Sequence, residues 1–250
     1  MNKPVQALRV VAEGPTTSFR YPHFMQGVQP TFRMPPPATI YGHVCSALGD
    51  WFDPAGVEFA IHFRYQVEFD DVESTHILAP VGGRLKGTTL PKALEGNVNP
   101  FRRSILFRPR LVLYLNRPDW LEAFRRPRYP VALGRSQDLF MYREVGITEL
   151  ANAEAAYFEH TIMPDDFARR TGAGQVVLMP RFLEVRARRH PTFERYLILQ
   201  RRVYSREFVR YEGEPPLRFW VDPATADADG ICLGLLFHRW MDEGGQPHRA

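Results

Sequence analysis

Lysine is almost missing from this chain. Only Lys3, Lys86 and Lys92 occur, so nearly all positive charge is arginine. Arginine grips phosphate bidentately and stacks on bases, which lysine does not. A GC-rich genome would bias usage the same way, and both readings stand. Cysteine is as scarce: Cys45 and Cys232 are the only two, in what read as helix core and strand core. No metal-ligand spacing surrounds them, which argues against zinc. A reduced cytosolic compartment fits them better than a disulfide framework. No apolar run reaches spanning length, and Met1 to Glu13 has no long apolar core of the signal-peptide kind. A soluble, cytoplasmic protein without a membrane partner is expected.

Motifs for chemistry are also lacking. His23, His43, His62, His76, His160, His190, His238 and His248 are scattered, with no His-x-x-x-His pair or carboxylate cluster to hold a metal. His62 and His238 lie in apolar strand patterns and read as structural. There is no Gly-x-Ser-x-Gly elbow. Gly82, Gly83 and Gly87 are not followed by Gly-Lys-Ser/Thr, so they make no nucleotide-phosphate loop. No metal, cofactor or catalytic residue is expected.

What is present is a foldable chain with an uneven charge. Its 250 residues are 44% hydrophobic with a formal charge of +4, enough for one large domain or two small ones. From Phe101 to Arg143 ten arginines face three acids, and from Arg181 to Arg210 nine face three. Such asymmetry favours a polyanionic partner; two solvated faces are the plainer alternative.

Along the chain, Val5 to Ala12 reads as a buried strand. Pro15 to Arg33 is a loop rich in aromatics and arginine, suited either to stacking on unpaired bases or to packing on the body. Val57 to Phe69 alternates apolar and polar residues, a half-buried strand. Thr75 to Asn99 has glycines, prolines and little periodicity, and it is too long for an ordinary connection. Arg103 to Asn116 returns to strand with a break at Pro109. A short helix runs from Pro118 through Arg126, and Tyr129 to Leu133 is a short strand before a turn at Gly134, Arg135 and Ser136. Thr148 to Phe158 fits helix or strand. Gln175 to Ala187, Arg195 to Tyr204 and Ile231 to Arg239 read as strands, with loops at Pro215 and Pro216 and from Asp222 to Asp229. The order strand–helix–strand, insert, strand–helix–strand is that of a split βαβ, ferredoxin-like domain. The expected class is therefore α+β: a ferredoxin-like, RRM-like N-terminal domain over 1–145, a long insertion at about 75–103, and a smaller β-rich C-terminal part over 146–250. The strands carry no aromatic motif of the standard sheet-face RNA readers.

The most informative stretch runs from Met34 to Phe52. Pro35, Pro36 and Pro37 fix an extended approach. Thr39, or the Pro37 to Ala38 step, opens a helix, and a hydroxyl there can cap the first turn. Ile40, Val44, Leu48 and Trp51 or Phe52 share one buried face. Gly42, Ser46 and Gly49 form a second line of small residues, although each glycine costs about 1 kcal/mol in a helix. Tight packing on the sheet explains that line, and so does backbone held close to a nucleic-acid phosphate at the helix N-terminus.

This stretch, with the strand before it and the segment from Thr17 to His23, resembles the N-terminal signature of the Cas five family, in the RAMP superfamily, and is closest to its type I-B-like members. The segments from Tyr129 to Ser136 and from Tyr157 to Pro164 resemble it more weakly. The resemblance implies a non-catalytic, guide-RNA-binding subunit of a type I CRISPR surveillance complex (Cascade). Such a subunit caps the 5′ handle of the crRNA and contacts the backbone subunits and the large PAM-reading subunit, with target DNA a further candidate partner. It also implies that the insertion is a thumb-like β-arm reaching over RNA. The RNA-binding residues expected on this basis are Arg20, Tyr21 and His23 after the first strand, and Thr39, Tyr41 and Gly42 at the helix start. Arg84 and Lys86 on the arm, Arg102 and Arg103 at its return, and Arg135 with Ser136 complete the set. The alternative is a metal-independent endoribonuclease that processes repeat RNA, as in one branch of the family. That branch uses a tyrosine near the first helix and an adjacent Lys-His pair. Tyr41 and His43 stand near the right place, but no Lys-His dipeptide occurs. A third reading, an adaptor whose arginine faces bind acidic protein, needs no RNA.

Overall fold

The computed structural model of the chain describes residues 5–24, 27–184 and 190–241. The first half runs β1 (Val5–Glu13), β2 (Thr16–Thr17), β3 (Val28–Gln29), α1 (Pro37–Leu48), β4 (Glu58–Arg64), β5 (Val67–Arg84), β6 (Pro91–Phe107) and β7 (Arg110–Leu115). A 3-10 turn at Pro118–Trp120 leads into α2 (Leu121–Arg125), then β8 (Met141–Ala153), β9 (Ala156–Phe158), β10 (Thr161–Pro164) and α3 (Phe167–Thr171). The chain finishes with β11 (Gln175–Glu184), β12 (His190–Leu199), β13 (Val203–Tyr204), β14 (Phe219–Asp222), β15 (Cys232–Leu235) and β16 (His238–Arg239). Expected strand at residues 185–187, along with Lys3 and His248, lies outside the described residues. The fold is mostly β.

One nine-stranded sheet forms the frame, in the order β13-β9-β15-β14-β8-β1-β7-β4-β16. Its middle four strands, β8-β1-β7-β4, are antiparallel throughout. β1 is central, so both its faces are covered. Leu8, Val10 and Ala12 join the core under α1, while Ala7 and Val11 join Tyr114 and Leu233 on the other face. The period-two alternation sets this division. β8 spans the boundary expected near residue 146 and pairs with both β1 and β14, so hydrogen bonding is continuous across it.

α1 packs Ile40 and Val44 fully into the core, each worth roughly 1.5–3 kcal/mol in burial. Its start differs from the expected one. Pro36 is the N-cap, no side chain caps the turn, and Thr39 donates only its backbone N–H, to the Pro36 carbonyl at 2.8 Å. Proline at the first position makes a cap less needed, because its missing N–H would be an orphan. The far end of the chain covers this turn: Trp240 stacks on Phe59 at 4.4 Å and donates from Nε1 to the Pro37 carbonyl at 2.7 Å. Gly49 ends the helix at φ +90°, where an added Cβ would lie 2.5 Å from Arg128 Cγ. Gly42 is different, exposed with nothing within 4 Å of an added Cβ. No internal packing asks for a glycine there.

Two strand expectations needed correcting. The alternation from Val57 to Phe69 is not one strand: it breaks after Arg64, and Gln66 donates to the Phe107 carbonyl at 2.9 Å as the chain leaves the sheet. Tyr129 to Leu133 is no strand; only Ala132 bridges, to Leu139, because Pro130 removes a donor. Thr148 to Phe158, open between helix and strand, is strand on both sides of a turn.

The segment without periodicity is a hairpin. β5 and β6 pair antiparallel from Val67 opposite Phe107 to Arg84 opposite Pro91. It starts at Val67, earlier than the expected 75. The part beyond Val72 projects on the order of 40 Å. At its root β2 pairs with β6 antiparallel and β3 pairs with it in parallel.

Candidate nucleic-acid interface

The hairpin root gathers several of the residues expected to bind RNA. β2 and β3 flank β6, so the loop between them is held against the arm. Phe19 donates its N–H to Thr31 Oγ1 at 2.8 Å, and Phe32 donates back to Phe19 at 2.8 Å. Arg20 bridges Thr31 across this loop. Tyr21 stacks on Phe32 with centroids 3.7 Å apart and meets Phe24 edge-on at 6.1 Å. Partial burial pushes the Tyr21 hydroxyl above its ordinary pKa. His23 lies over Phe193 at 6.1 Å. Arg102 projects from β6 and donates its backbone N–H to Gly27 at 2.9 Å.

Beside this loop opens a groove of about 730 Å³, lined by Tyr21, Phe24, Arg33, Gln200 and Arg201 among others. Phe24 is 48% exposed, and Arg33 donates to Glu68 at 2.9 Å. Arg201 has no carboxylate partner among the described residues. An exposed aromatic edge beside free guanidinium suits an unpaired base with its phosphate. Phe24, Arg33 and Arg201 were not among the expected site residues. The loop's aromatic and arginine content was the available signal for the first two; for Arg201 it was only the arginine-dense segment from Arg181 to Arg210, and its place in the groove comes from the β12–β13 turn.

Arg103 and Arg135 lie together below the root, committed to carboxylates. Both donate to Glu73, Arg103 at 2.7 Å. Arg135 also donates to Asp138, through Nε at 2.9 Å and Nη2 at 2.7 Å. The Asp138 carboxylate holds the Arg135 guanidinium above its ordinary pKa, with Glu73 adding to it. Gly134, at φ +103°, fits because an added Cβ would run into Thr17 and Ser18. Ser136 is exposed on the turn.

The helix mouth contributes no side chain to the groove lining. Tyr41 is buried, donates to the Phe52 carbonyl at 2.6 Å and packs on Trp51, Phe182 and Trp240; burial pushes its pKa up. His43 is buried too. Its Nδ1–H donates to Ala132 at 3.0 Å and its Nε2 accepts from the Tyr142 hydroxyl at 3.1 Å. Burial lowers its pKa, which fits this neutral ring. Neither side chain reaches solvent. Thr39 is half-buried and Gly42 exposed on the same helix. Arg84 and Lys86 stand exposed at the arm tip, where Leu85 and Leu90 close the turn at 3.0 Å.

Pairing also thins the first arginine-dense segment. Arg103, Arg110, Arg117, Arg125, Arg135 and Arg143 all sit on carboxylates. Two of those acids, Glu13 and Glu73, lie far away in sequence. Among the described residues no three His, Cys, Asp or Glu side chains gather as a metal ion would need, and no helix is long and apolar enough to cross a membrane.

No family model and no curated protein matches the sequence. Solved structures do. The chain superposes on a subunit of a CRISPR RNA-guided surveillance complex with a TM-score of 0.51 and 15% identity, covering 83% of this chain and 95% of that one. It therefore shares the fold of a CRISPR-complex protein; at that identity the likeness is one of fold. A chain of a type III-B Cmr-beta complex bound to cognate target RNA matches at TM-score 0.44 and 11% identity, covering 79% of this chain and 86% of that one. A crystal structure of a Cas protein matches at 0.36 and 13%, covering 79% and 94%. Both scores are too low to carry an argument.

Proposed function

We propose that this protein is a guide-RNA-binding subunit of a CRISPR effector complex that holds the 5′ handle of the crRNA without cutting it. The observation that carries the reading is the groove at the hairpin root, where Phe24, Tyr21 and Arg201 offer stacking surface and positive charge. The fold likeness to a surveillance-complex subunit supports it. We read β1–α1–β4–β7–α2–β8 as a ferredoxin-like unit and the β5–β6 hairpin as a thumb-like arm. Exposed Val72, Leu78, Leu85 and Leu90 along that arm suit contact with a neighbouring backbone subunit. The resemblance to the Cas five family, type I-B-like, gives the large PAM-reading subunit as another neighbour. On this reading Arg20, His23, Arg84, Lys86 and Arg102 meet the RNA, while Arg103 and Arg135, paired to Glu73, hold the root from beneath.

The endonuclease alternative drew on Tyr41 and His43. Both side chains are buried, and no observation favours it. Binding of handle RNA, followed by fluorescence anisotropy across a salt series, tests the proposal. Affinity should fall steeply, with a log–log slope near −0.7 per phosphate contacted. Salt-independent binding, or cleavage of repeat RNA in the presence of chelator, would overturn it.

A further inference from the structure

At one end of the large sheet the central strands stop on charge. β1 ends at Glu13, β4 ends at Arg64 and β7 begins at Arg110. Arg110 pairs across to Glu13 on one side and Arg64 on the other. Directly opposed residues project from the same face, and like charges so placed repel. This is the face away from α1, since Val11 and Val112, two positions further in, belong to the opposite core. Arg143 is steered there by a bulge: β1–β8 register slips between Val11 and Ala12, leaving Arg143 as the extra residue. It donates to Glu13 Oε2 at 3.0 Å while Arg110 takes the other carboxylate oxygen.

Arg108 completes the group. It holds φ +49° before Pro109, a left-handed conformation that glycine or asparagine adopts more readily. Its N–H donates to the Pro15 carbonyl at 2.8 Å. A cleft of about 580 Å³ opens among these side chains. Four guanidiniums line it, from Arg64, Arg108, Arg110 and Arg143, against the single carboxylate of Glu13, a formal excess of three positive charges. Among the described residues Arg64 and Arg108 have no carboxylate partner. The cleft also adjoins the aromatic groove. Tyr65 lines the first and Gln200 the second, and Gln200 donates to the Tyr65 hydroxyl at 3.0 Å, so the two share a wall.

We propose that this cleft is a phosphate site for single-stranded nucleic acid, with one backbone phosphate seated on Arg64, Arg108 and Arg110. Glu13 spaces Arg110 and Arg143 and leaves the uncompensated side open. The strand runs from the aromatic groove over the Tyr65–Gln200 wall into the cleft. The opposed guanidiniums of Arg64 and Arg110 repel less when an anion lies between them. The proposal rests on the RNA-binding reading above and adds a site that none of its residues occupies.

The test uses the full chain with a short labelled single-stranded RNA, and separately with inorganic pyrophosphate. Arg64→Gln with Arg108→Gly should weaken RNA binding and flatten its salt slope by about 0.7 per lost contact. Arg126→Gln with Arg210→Gln serves as the charge-matched control and should leave the slope as in wild type. Pyrophosphate should raise the unfolding temperature of wild type and not of the double variant. Arg108→Gly alone should keep or raise the unfolding temperature in buffer, which separates lost binding from lost folding. Unchanged RNA affinity and slope in the double variant would overturn the site and leave the functional reading standing. A pyrophosphate shift that the variant loses, without RNA binding by wild type, would overturn nucleic acid as the occupant and the functional reading with it. No response to either probe would end both.

Discussion

Asp138, with no exposed surface, takes three hydrogen bonds from Arg135: from the backbone N–H at 2.9 Å, from Nε at 2.9 Å and from Nη2 at 2.7 Å. A guanidinium held in this way positions the turn that packs on β2. Removing one partner of a buried pair costs about 3–5 kcal/mol. Asp138→Ala is therefore expected to lower the unfolding temperature by roughly 10 °C. Arg135→Gln should do the same in part, read by calorimetry. If Arg135→Gln instead left the unfolding temperature alone and weakened RNA binding, its placement beneath the site would be wrong.

Phe24 offers the groove an aromatic surface with little role in packing. Phe24→Ala should weaken single-stranded RNA binding by about 1–3 kcal/mol, the range for a lost base stack. Its unfolding temperature should match wild type. Equal affinity for the two proteins would remove the base-stacking role from this loop.

The arm beyond its root is mostly exposed, so it contributes little to the body's stability. Joining Thr75 to Asn99 through an Asn-Gly turn keeps the opposed pair at which these residues meet. The shortened protein should unfold within about 4 °C of wild type and lose the salt dependence due to Arg84 and Lys86. Co-migration with a backbone subunit on a sizing column should be lost as well. A collapse of thermal stability would show that the arm is part of the core.

Acid should destabilise the fold before its carboxylates titrate. His238 is buried, donates from Nε2 to the Ile162 carbonyl at 3.0 Å, and burial lowers its pKa to about 4. The unfolded chain takes up that proton near pH 6.5, as an ordinary histidine does. Between those values the unfolded state binds more protons, so stability is full above about pH 6.5 and falls as pH drops toward 4. His43, also lowered by burial, acts in the same direction. Urea midpoints at about pH 7 and pH 5 should differ clearly, and His238→Gln should shrink that difference. A midpoint flat over this range would refute a neutral, buried His238.

Gly42 occupies an open position in a helix interior. Gly42→Ala should stabilise the isolated protein by about 1 kcal/mol, because alanine loses less backbone entropy. If RNA or a partner approaches this backbone, the same variant should bind more weakly despite its higher unfolding temperature. Unchanged binding would leave Gly42 without a role at the interface.

Legibility followed solvent exposure. β1, β4 and β7 were readable because burial on both faces fills them with apolar residues, and α1 because Ile40 and Val44 repeat at helical spacing. The arm was not readable as strand. Both its faces meet water over most of its length, so nothing selects an apolar period there. Of the expected site residues, Arg20, Tyr21, His23 and Arg102 meet at the root, while Tyr41 looked available because two of the rings that cover it, Phe182 and Trp240, come far along the chain.

Local pattern alone determined β1, α1, the aromatic loop and the unusual reliance on arginine, since each depends on neighbours a few residues away. Which of those arginines lack a carboxylate was decided only by the tertiary structure. Glu13 and Glu73 reach across the fold to pair with Arg110, Arg143, Arg103 and Arg135, and, among the described residues, leave Arg64 and Arg108 without a carboxylate at the cleft. Charge acts through space, and separation along the chain says little about it.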